Sequence, residues 1–176
     1  MNVPELRFRL ADISDAPMLG EFMARNFRAA YQHCSTPENI DRAVEDHYGE
    51  PAQRRQIGDP HRINLIASVA DDCIAHAQLH IGGDTPTGAS SSPAIELSRF
   101  YVDTLHHGHG IAQLLMARVK QESRLLGAAS LWLSVWQESP QAIRFYEKEG
   151  FRRAGSLVFM IGDDPKDDWL MVCSLR

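Results

Sequence analysis

Val102-Asp103-Thr104-Leu105-His106-His107-Gly108-His109-Gly110-Ile111-Ala112 joins a strand-like run to a helical one through a loop with two glycines. Upstream, Ile95 to Val102 reads as a strand. Downstream, Ile111, Leu114, Leu115 and Val119 share one side of a helix expected from Gly110 to Leu126, with Gly127 as its stop. The first N–H groups of a helix lack partners within it, and with the helix dipole they form a positive end suited to phosphate. Glycine at 108 and 110 lets phosphate oxygens approach the backbone with no Cβ in the way. A dinucleotide fold wants another glycine three residues after Gly110, where Gln113 stands, and the Gly-Lys-Ser/Thr of a P-loop is absent. Plain turn glycines remain the alternative at this point. His106, His107 and His109 are read as a solvated loop beside phosphate rather than a metal tract, since intervening glycines do not make ligands converge. No metal is expected.

Working outward, the second informative stretch is Ser139-Pro140-Gln141-Ala142-Ile143-Arg144-Phe145-Tyr146-Glu147-Lys148-Glu149-Gly150-Phe151. Ser-Pro is a helix-start signal and Gly150 a stop, and Phe145 and Tyr146 follow Ala142 by three and four residues on one helical face. Between the two stretches, Ser130 to Trp136 alternates as a strand. Before them, Leu6 to Leu10 is a strand and Asp12 or Ser14 caps a helix bearing Met18, Leu19, Phe22, Met23 and Phe27. Thr36-Pro37 opens a more polar helix to about Tyr48, and Arg62 to Val69 and Cys73 to Ile81 are strands. Gly82 to Pro93 reads as an exposed hairpin loop. Phe151 to Ile161 and Trp169 to Leu175 form a last pair of strands around Gly162 to Pro165. The order β-α-α-β-β-β-α-β-α-β-β predicts an α/β fold with a mixed sheet, one domain over residues 1–176.

Eighteen basic against 23 acidic residues give a formal charge of −5, which argues against nucleic-acid binding. Cys34, Cys73 and Cys173 are too far apart for a CxxC site and odd in number, so reduced thiols are expected. Met1 to Glu5 shows no basic region followed by an apolar stretch, and no run approaches a membrane span, so a cytoplasmic protein without a membrane partner is expected.

Taken together, the two stretches resemble the GNAT superfamily of acetyl-coenzyme A-dependent N-acetyltransferases. Its loop pattern, Gln/Arg-x-x-Gly-x-Gly/Ala, is matched by His107-Gly108-His109-Gly110-Ile111-Ala112, with histidine in the first place. Its Asn-x-x-Ala-x-x-x-Tyr-x-x-x-Gly-Phe run is matched by Ser139, Ala142, Tyr146, Gly150 and Phe151, with serine for asparagine. Within the superfamily, Glu96-Leu97-Ser98-Arg99-Phe100-Tyr101-Val102, Val135-Trp136 and Phe159 to Asp168 resemble the PaiA-like spermidine/spermine acetyltransferase branch. The Gln-Thr pair common there after Gly-Asp-Asp is missing.

The resemblance implies the acyl-coenzyme A N-acyltransferase fold, a mixed central sheet flanked by helices. It also implies transfer of an acetyl group from acetyl-coenzyme A to a primary amine, by direct attack in a ternary complex. Tyr101, Val102, His107, Gly108, His109, Gly110, Ile111, Ala112, Ser139, Ala142 and Phe145 are then the expected cofactor-binding residues. Tyr146 would protonate the leaving thiolate, and a strand N–H near Tyr101-Val102 would serve the carbonyl oxygen. Glu96 is the candidate base, its alternatives being an exposed carboxylate or a partner for Arg99. Tyr31 and His33 are candidate walls of the acceptor site. The acceptor is expected to be a small amine, a polyamine or a peptide N-terminus, and a homodimer stays open. A non-catalytic acyl-coenzyme A sensor is the rival function.

Overall fold

A computed structural model describes residues 5–89 and 93–176. Residues 1–4, which bear on the signal-peptide expectation, and residues 90–92 of the expected hairpin loop lie outside the described residues. Seven strands form one sheet: β1 (Leu6–Leu10), β2 (Arg62–Val69), β3 (Asp72–His80), β4 (Ala94–Val102), β5 (Ser130–Trp136), β6 (Arg152–Ile161) and β7 (Asp164–Ser174). Their spatial order is β1-β2-β3-β4-β5-β7-β6, and every neighbouring pair is antiparallel except β4 and β5. The α-helices are α1 (Ala16–Tyr31), α2 (Pro37–Ala43), α3 (Glu50–Ile57), α4 (Ile111–Leu125) and α5 (Pro140–Lys148). The mixed α/β fold expected from the sequence is the fold found.

Parallel neighbours need a crossover, and α4 supplies it. Its Leu115, Met116 and Val119 are fully buried against Leu79, Leu97, Leu131 and Leu133, and Ile143 of α5 joins the same core. The opposite face of the sheet holds a second core in which Phe22, Met23 and Phe27 of α1 meet Ile40, Val44, Tyr48 and Ile161. Local chemistry prepares these starts: Asp12 caps a 3-10 turn, Ile13–Asp15, that leads into α1, whose own N-cap Asp15 makes no capping bond with its side chain, and Thr36 caps α2. The Asp12 carboxylate accepts from Ser14 N at 2.8 Å, Asp15 accepts from Asp12 N at 2.9 Å, and Thr36 Oγ1 accepts from Asn39 N at 3.3 Å. The segment expected to run to Tyr48 does so, its end widened into a π turn over Val44–Tyr48.

Three expectations need correction. Helix α3 was not anticipated, because Glu-Pro-Ala-Gln-Arg-Arg-Gln-Ile offers no apolar stripe; it buries only Ala52 and Gln53. It is held by closeness to α1 at Gly20, where a Cβ would stand 2.6 Å from Glu50 N. The loop after β3 is not exposed throughout, since Ala89 is buried with Trp132 and Leu170. Strand β7 begins at Asp164 rather than Trp169, because Gly162, at φ +59°, lets the chain reverse over two residues so that Ile161 pairs with Asp164.

Gly20→Ala should therefore push α3 off α1 and cost about 1–3 kcal/mol, the usual range for overpacking. Urea unfolding of parent and variant measures it, and an unchanged midpoint would show that α3 is not seated there.

Candidate active site

The ladder between β4 and β5 lasts three pairs, Ala94↔Ser130, Ile95↔Leu131 and Glu96↔Trp132. Beyond Glu96, β4 stays paired with β3 and β5 with β7, so the two central strands part and an opening forms between them. Asp103 N donates to Ile74 O of the β3 side at 2.8 Å. By the alternation of an antiparallel ladder, Tyr101 also bonds toward β3, whereas Phe100 and Val102 turn their N–H and C=O toward the opening. The Val102 carbonyl is taken by His107 Nε2 at 2.9 Å, which carries the proton in this contact.

At the mouth of the opening lies the loop before α4. Gly108 and Gly110 have φ of +80° and +78°, and a Cβ on either would meet nothing within 4 Å. The space above both is clear, and Gly110 is the N-cap of α4 with no side chain capping it. Histidine at 107 stands where the family pattern has Gln or Arg; here it folds back on the strand and fixes the loop. His109 is exposed, and Ile111 and Ala112 are half-buried. Ser139 sits at the N-cap of α5 but makes no capping bond with its side chain.

Ala142, Phe145 and Tyr146 of α5 pack on the core under α4. The Tyr146 ring lies edge-on to Phe100, Phe145 and Phe151, with centroids 6.2, 5.4 and 5.7 Å away. Its hydroxyl has no hydrogen-bond partner among the described residues, and burial raises its pKa, so it stays protonated. Tyr31 of α1, on the other face of the sheet, nevertheless feels Tyr146 electrostatically.

On the α1 side, a bulge reshapes β4. Pairing steps from Leu79↔Leu97 to Gln78↔Arg99, leaving Ser98 as the extra residue. The inward positions thereby switch from Ile95 and Leu97 to Phe100 and Val102, and Arg99 and Tyr101 turn toward α1 and the π turn. The Arg99 guanidinium lies 4.2 Å from the Tyr48 ring centre. Tyr101 is held well above its ordinary pKa by burial and by the neighbouring Tyr48 and Tyr31. Tyr31 and His33 each stand 6.2 Å, ring to ring, from Trp136. The loop that carries His33 is tied to the β6–β7 hairpin by Lys166 Nζ donating to Cys34 O at 2.6 Å and by Ser35 Oγ donating to Asp164 at 2.7 Å.

Glu96 is not a partner for Arg99: its carboxylate meets His80 Nδ1 at 3.2 Å, at the last paired position before the strands part. A second carboxylate escaped the sequence reading. Asp168 of β7 pairs across from Trp136, is 3% exposed, and leaves Oδ1 buried without a partner. Burial pushes its pKa up to about 6 against the Ser134 hydroxyl that holds it down, and its charge is felt at Tyr31. In the sequence it stands only as the last residue of the Phe159 to Asp168 stretch, at the end of an acidic run, with no role attached to it. Among the described residues no three His, Cys, Asp or Glu side chains converge to hold a metal ion, and no helix is long and apolar enough to cross a membrane.

The model of the Acetyltransferase (GNAT) family matches residues 20–151. The chain belongs to this family. It is an N-acetyltransferase by that membership, and it is 31% identical over 163 residues to an uncharacterised N-acetyltransferase of Mycobacterium tuberculosis (strain H37Rv), covering 93% of this chain and 99% of the relative. A spermine/spermidine N(1)-acetyltransferase of Bacillus subtilis is 31% identical over 64 residues, 36% of this chain and 42% of that protein. Among solved GNAT structures, the PaiA N-acetyltransferase of Thermoplasma acidophilum in complex with coenzyme A superposes with a TM-score of 0.79 at 18% identity. The match covers 97% of this chain and 99% of that one.

Asp168 gives a stability signature. Its carboxyl is protonated more readily folded than unfolded, so the fold gains fully from it below the ordinary carboxylate range and loses that gain as pH rises through about 6. Asp168→Asn should therefore stabilise the chain at pH 8 by up to about 2 kcal/mol, and hardly at pH 4. Thermal melts of both proteins at the two pH values test this, and a variant less stable at pH 8 would make Asp168 a structural anchor.

Proposed function

We propose that the chain transfers the acetyl group of acetyl-coenzyme A to a primary amine by direct attack, with both substrates bound across the opening between β4 and β5. The observation that carries this reading is that the β4–β5 ladder stops at Glu96, with the protonated Tyr146 hydroxyl on the α4 face of the sheet and Asp168, one oxygen of which lacks a partner among the described residues, opposite Trp136 on the α1 face. The residues suit the coenzyme. The clear space over Gly108 and Gly110 and the uncapped start of α4 suit its pyrophosphate, with Ile111 and Ala112 contributing N–H groups. Phe100, Val102, Ala142 and Phe145 would flank the pantetheine arm, with Ser139 in reach of its amides. When bound, acetyl-coenzyme A supplies a thioester carbonyl open to nucleophilic attack.

The remaining work falls to the chain. An alkylammonium must lose a proton before its nitrogen can attack. Asp168 is the stronger candidate for taking it, because a carboxylate with a pKa near 6 is ionised at neutral pH yet more basic than an exposed one. Glu96, engaged by His80, is a second candidate, acting directly or through water. The Val102 N–H at the opening would donate to the carbonyl oxygen as it gains charge. As the new C–N bond forms and the C–S bond breaks, the Tyr146 hydroxyl would give its proton to the departing sulfur, and burial keeps that proton in place until then. The likeness to the Bacillus subtilis enzyme supports polyamines as one acceptor class to include in the screen.

Tyr146→Phe should keep the packing and lower kcat by about 10²-fold or more; release of coenzyme A in a broad amine screen measures it, and an unchanged kcat with chemistry limiting would make Tyr146 a core residue only. The acidic limb of kcat/KM should fall near pH 6 in the parent and vanish in Asp168→Asn. If it vanishes instead in Glu96→Gln, the proton goes to Glu96.

A further inference from the structure

On the α1 side of the opening, the Arg99 guanidinium is paired with no anion among the described residues. Arg99 makes a single side-chain hydrogen bond among the described residues, from Nε to Gln78 Oε1 at 3.4 Å. That oxygen already accepts from Arg62 Nη1 at 2.8 Å and from Ser98 Oγ at 3.0 Å. A carbonyl oxygen has two lone-pair directions, so the third and longest contact contributes least. Arg99 Nη1 is buried with no partner at all, and no ion pair forms to this guanidinium among the described residues. The neutral groups around it do not repair this. His76, whose pKa burial pushes down to about 3, is uncharged, and Tyr48 offers its ring face.

A buried donor left without an acceptor is costly, more so when its group is charged, and it is tolerated where something completes it. The buried carboxylate on this face does not do so. Asp168, paired across from Trp136, forms no ion pair with Arg99 and has an unpartnered oxygen of its own among the described residues. The acceptor side thus presents a half-buried cation with one enclosed, unpartnered nitrogen and a buried carboxylate with one unpartnered oxygen. A polyamine would satisfy the anion and add positive charge beside the cation. A molecule with an amine at one end and a carboxylate at the other satisfies both, and a planar guanidinium is the donor best shaped for a carboxylate.

We propose that Arg99 binds a carboxylate of the acceptor, and that the acceptor is therefore an amine of the amino-acid class rather than a polyamine. This deepens the acetyltransferase reading of the opening and rests on it. The amine points toward Asp168 and Tyr146, and the carboxylate lies over the Tyr48 side of the cleft against Arg99. Specificity then comes from the distance between the two ends, since each is fixed by a different strand.

The test measures coenzyme A release by the full chain with glycine, β-alanine and γ-aminobutyrate, each against its neutral primary amide, with spermidine alongside. At least one acid should exceed its amide in kcat/KM by about tenfold or more. Arg99→Gln should collapse that ratio toward one, and Arg99→Lys, which keeps the charge without the fork, should retain part of it. Equal values for acid and amide in the parent, or spermidine above every acid, would overturn the proposal and leave the acetyltransferase reading standing. Should no amine of the panel be consumed, binding decides. N-acetylated acids titrated into the coenzyme A-saturated parent must bind more tightly than their amides, with the difference lost in Arg99→Gln; no difference overturns the proposal. Failure of the parent to bind coenzyme A would remove the underlying reading and this one with it. If Arg99→Gln does not fold, the parent's acid-to-amide ratio and Arg99→Lys still decide.

Discussion

The parallel ladder between β4 and β5 stops after Glu96 and Trp132, and what the molecule can do follows from that stop. Two strands of one sheet normally satisfy each other's backbone. Here β4 keeps β3 and β5 keeps β7, so the parting costs each strand one side of its pairing over a few residues. The result is a gap in the middle of a sheet, with polar N–H and C=O groups on its rim and a hydrophobic core on either face. A gap of this kind gives a ligand backbone partners without any loop having to reach over it, and it connects two faces that a continuous sheet would isolate.

The two faces are unlike, and the bulge at Ser98 makes them so. Before it, Ile95 and Leu97 face α4; after it, Phe100 and Val102 do, while Arg99 and Tyr101 turn the other way. The α4 side is apolar, with Tyr146 set in a ring of phenylalanines. The α1 side carries Asn64, His76, Gln78, Arg62 and Arg99 in one connected set of hydrogen bonds, in which His76 Nδ1 and Arg99 Nη1 remain unmade. A low-dielectric environment makes such omissions expensive. Asp168 Oδ1 is a further atom of this kind on the same face, which sets that face apart from the apolar α4 side.

Much of the fold could be read from the chain because its elements are locally consistent. Caps at Asp12 and Thr36, the stripe on α1, the alternation of β5 and the glycine stops after α4 and α5 all act within a few residues, and each was where the sequence put it. Helix α3 was not legible, because a close approach at Gly20 rather than an apolar stripe holds it. The early start of β7 was hidden by Pro165 and Lys166, which look like turn residues until pairing with Met160 and Phe159 makes them strand.

For the site, the sequence by itself determined the loop of Gly108 and Gly110, the helix behind it, and the tyrosine on α5, because these depend on spacing along one strand–helix unit. It placed Glu96 on the right strand but could not name His80 as its neighbour. Arg99, Tyr48 and Asp168 were decided only by the tertiary structure, since they come from β4, the π turn and β7, three segments with no local reason to meet. Burial is what gives them their chemistry: the same arginine and aspartate on a solvated surface would be screened and ordinary, whereas here Asp168 is buried with one oxygen unpartnered and the half-buried Arg99 has one nitrogen enclosed without an acceptor.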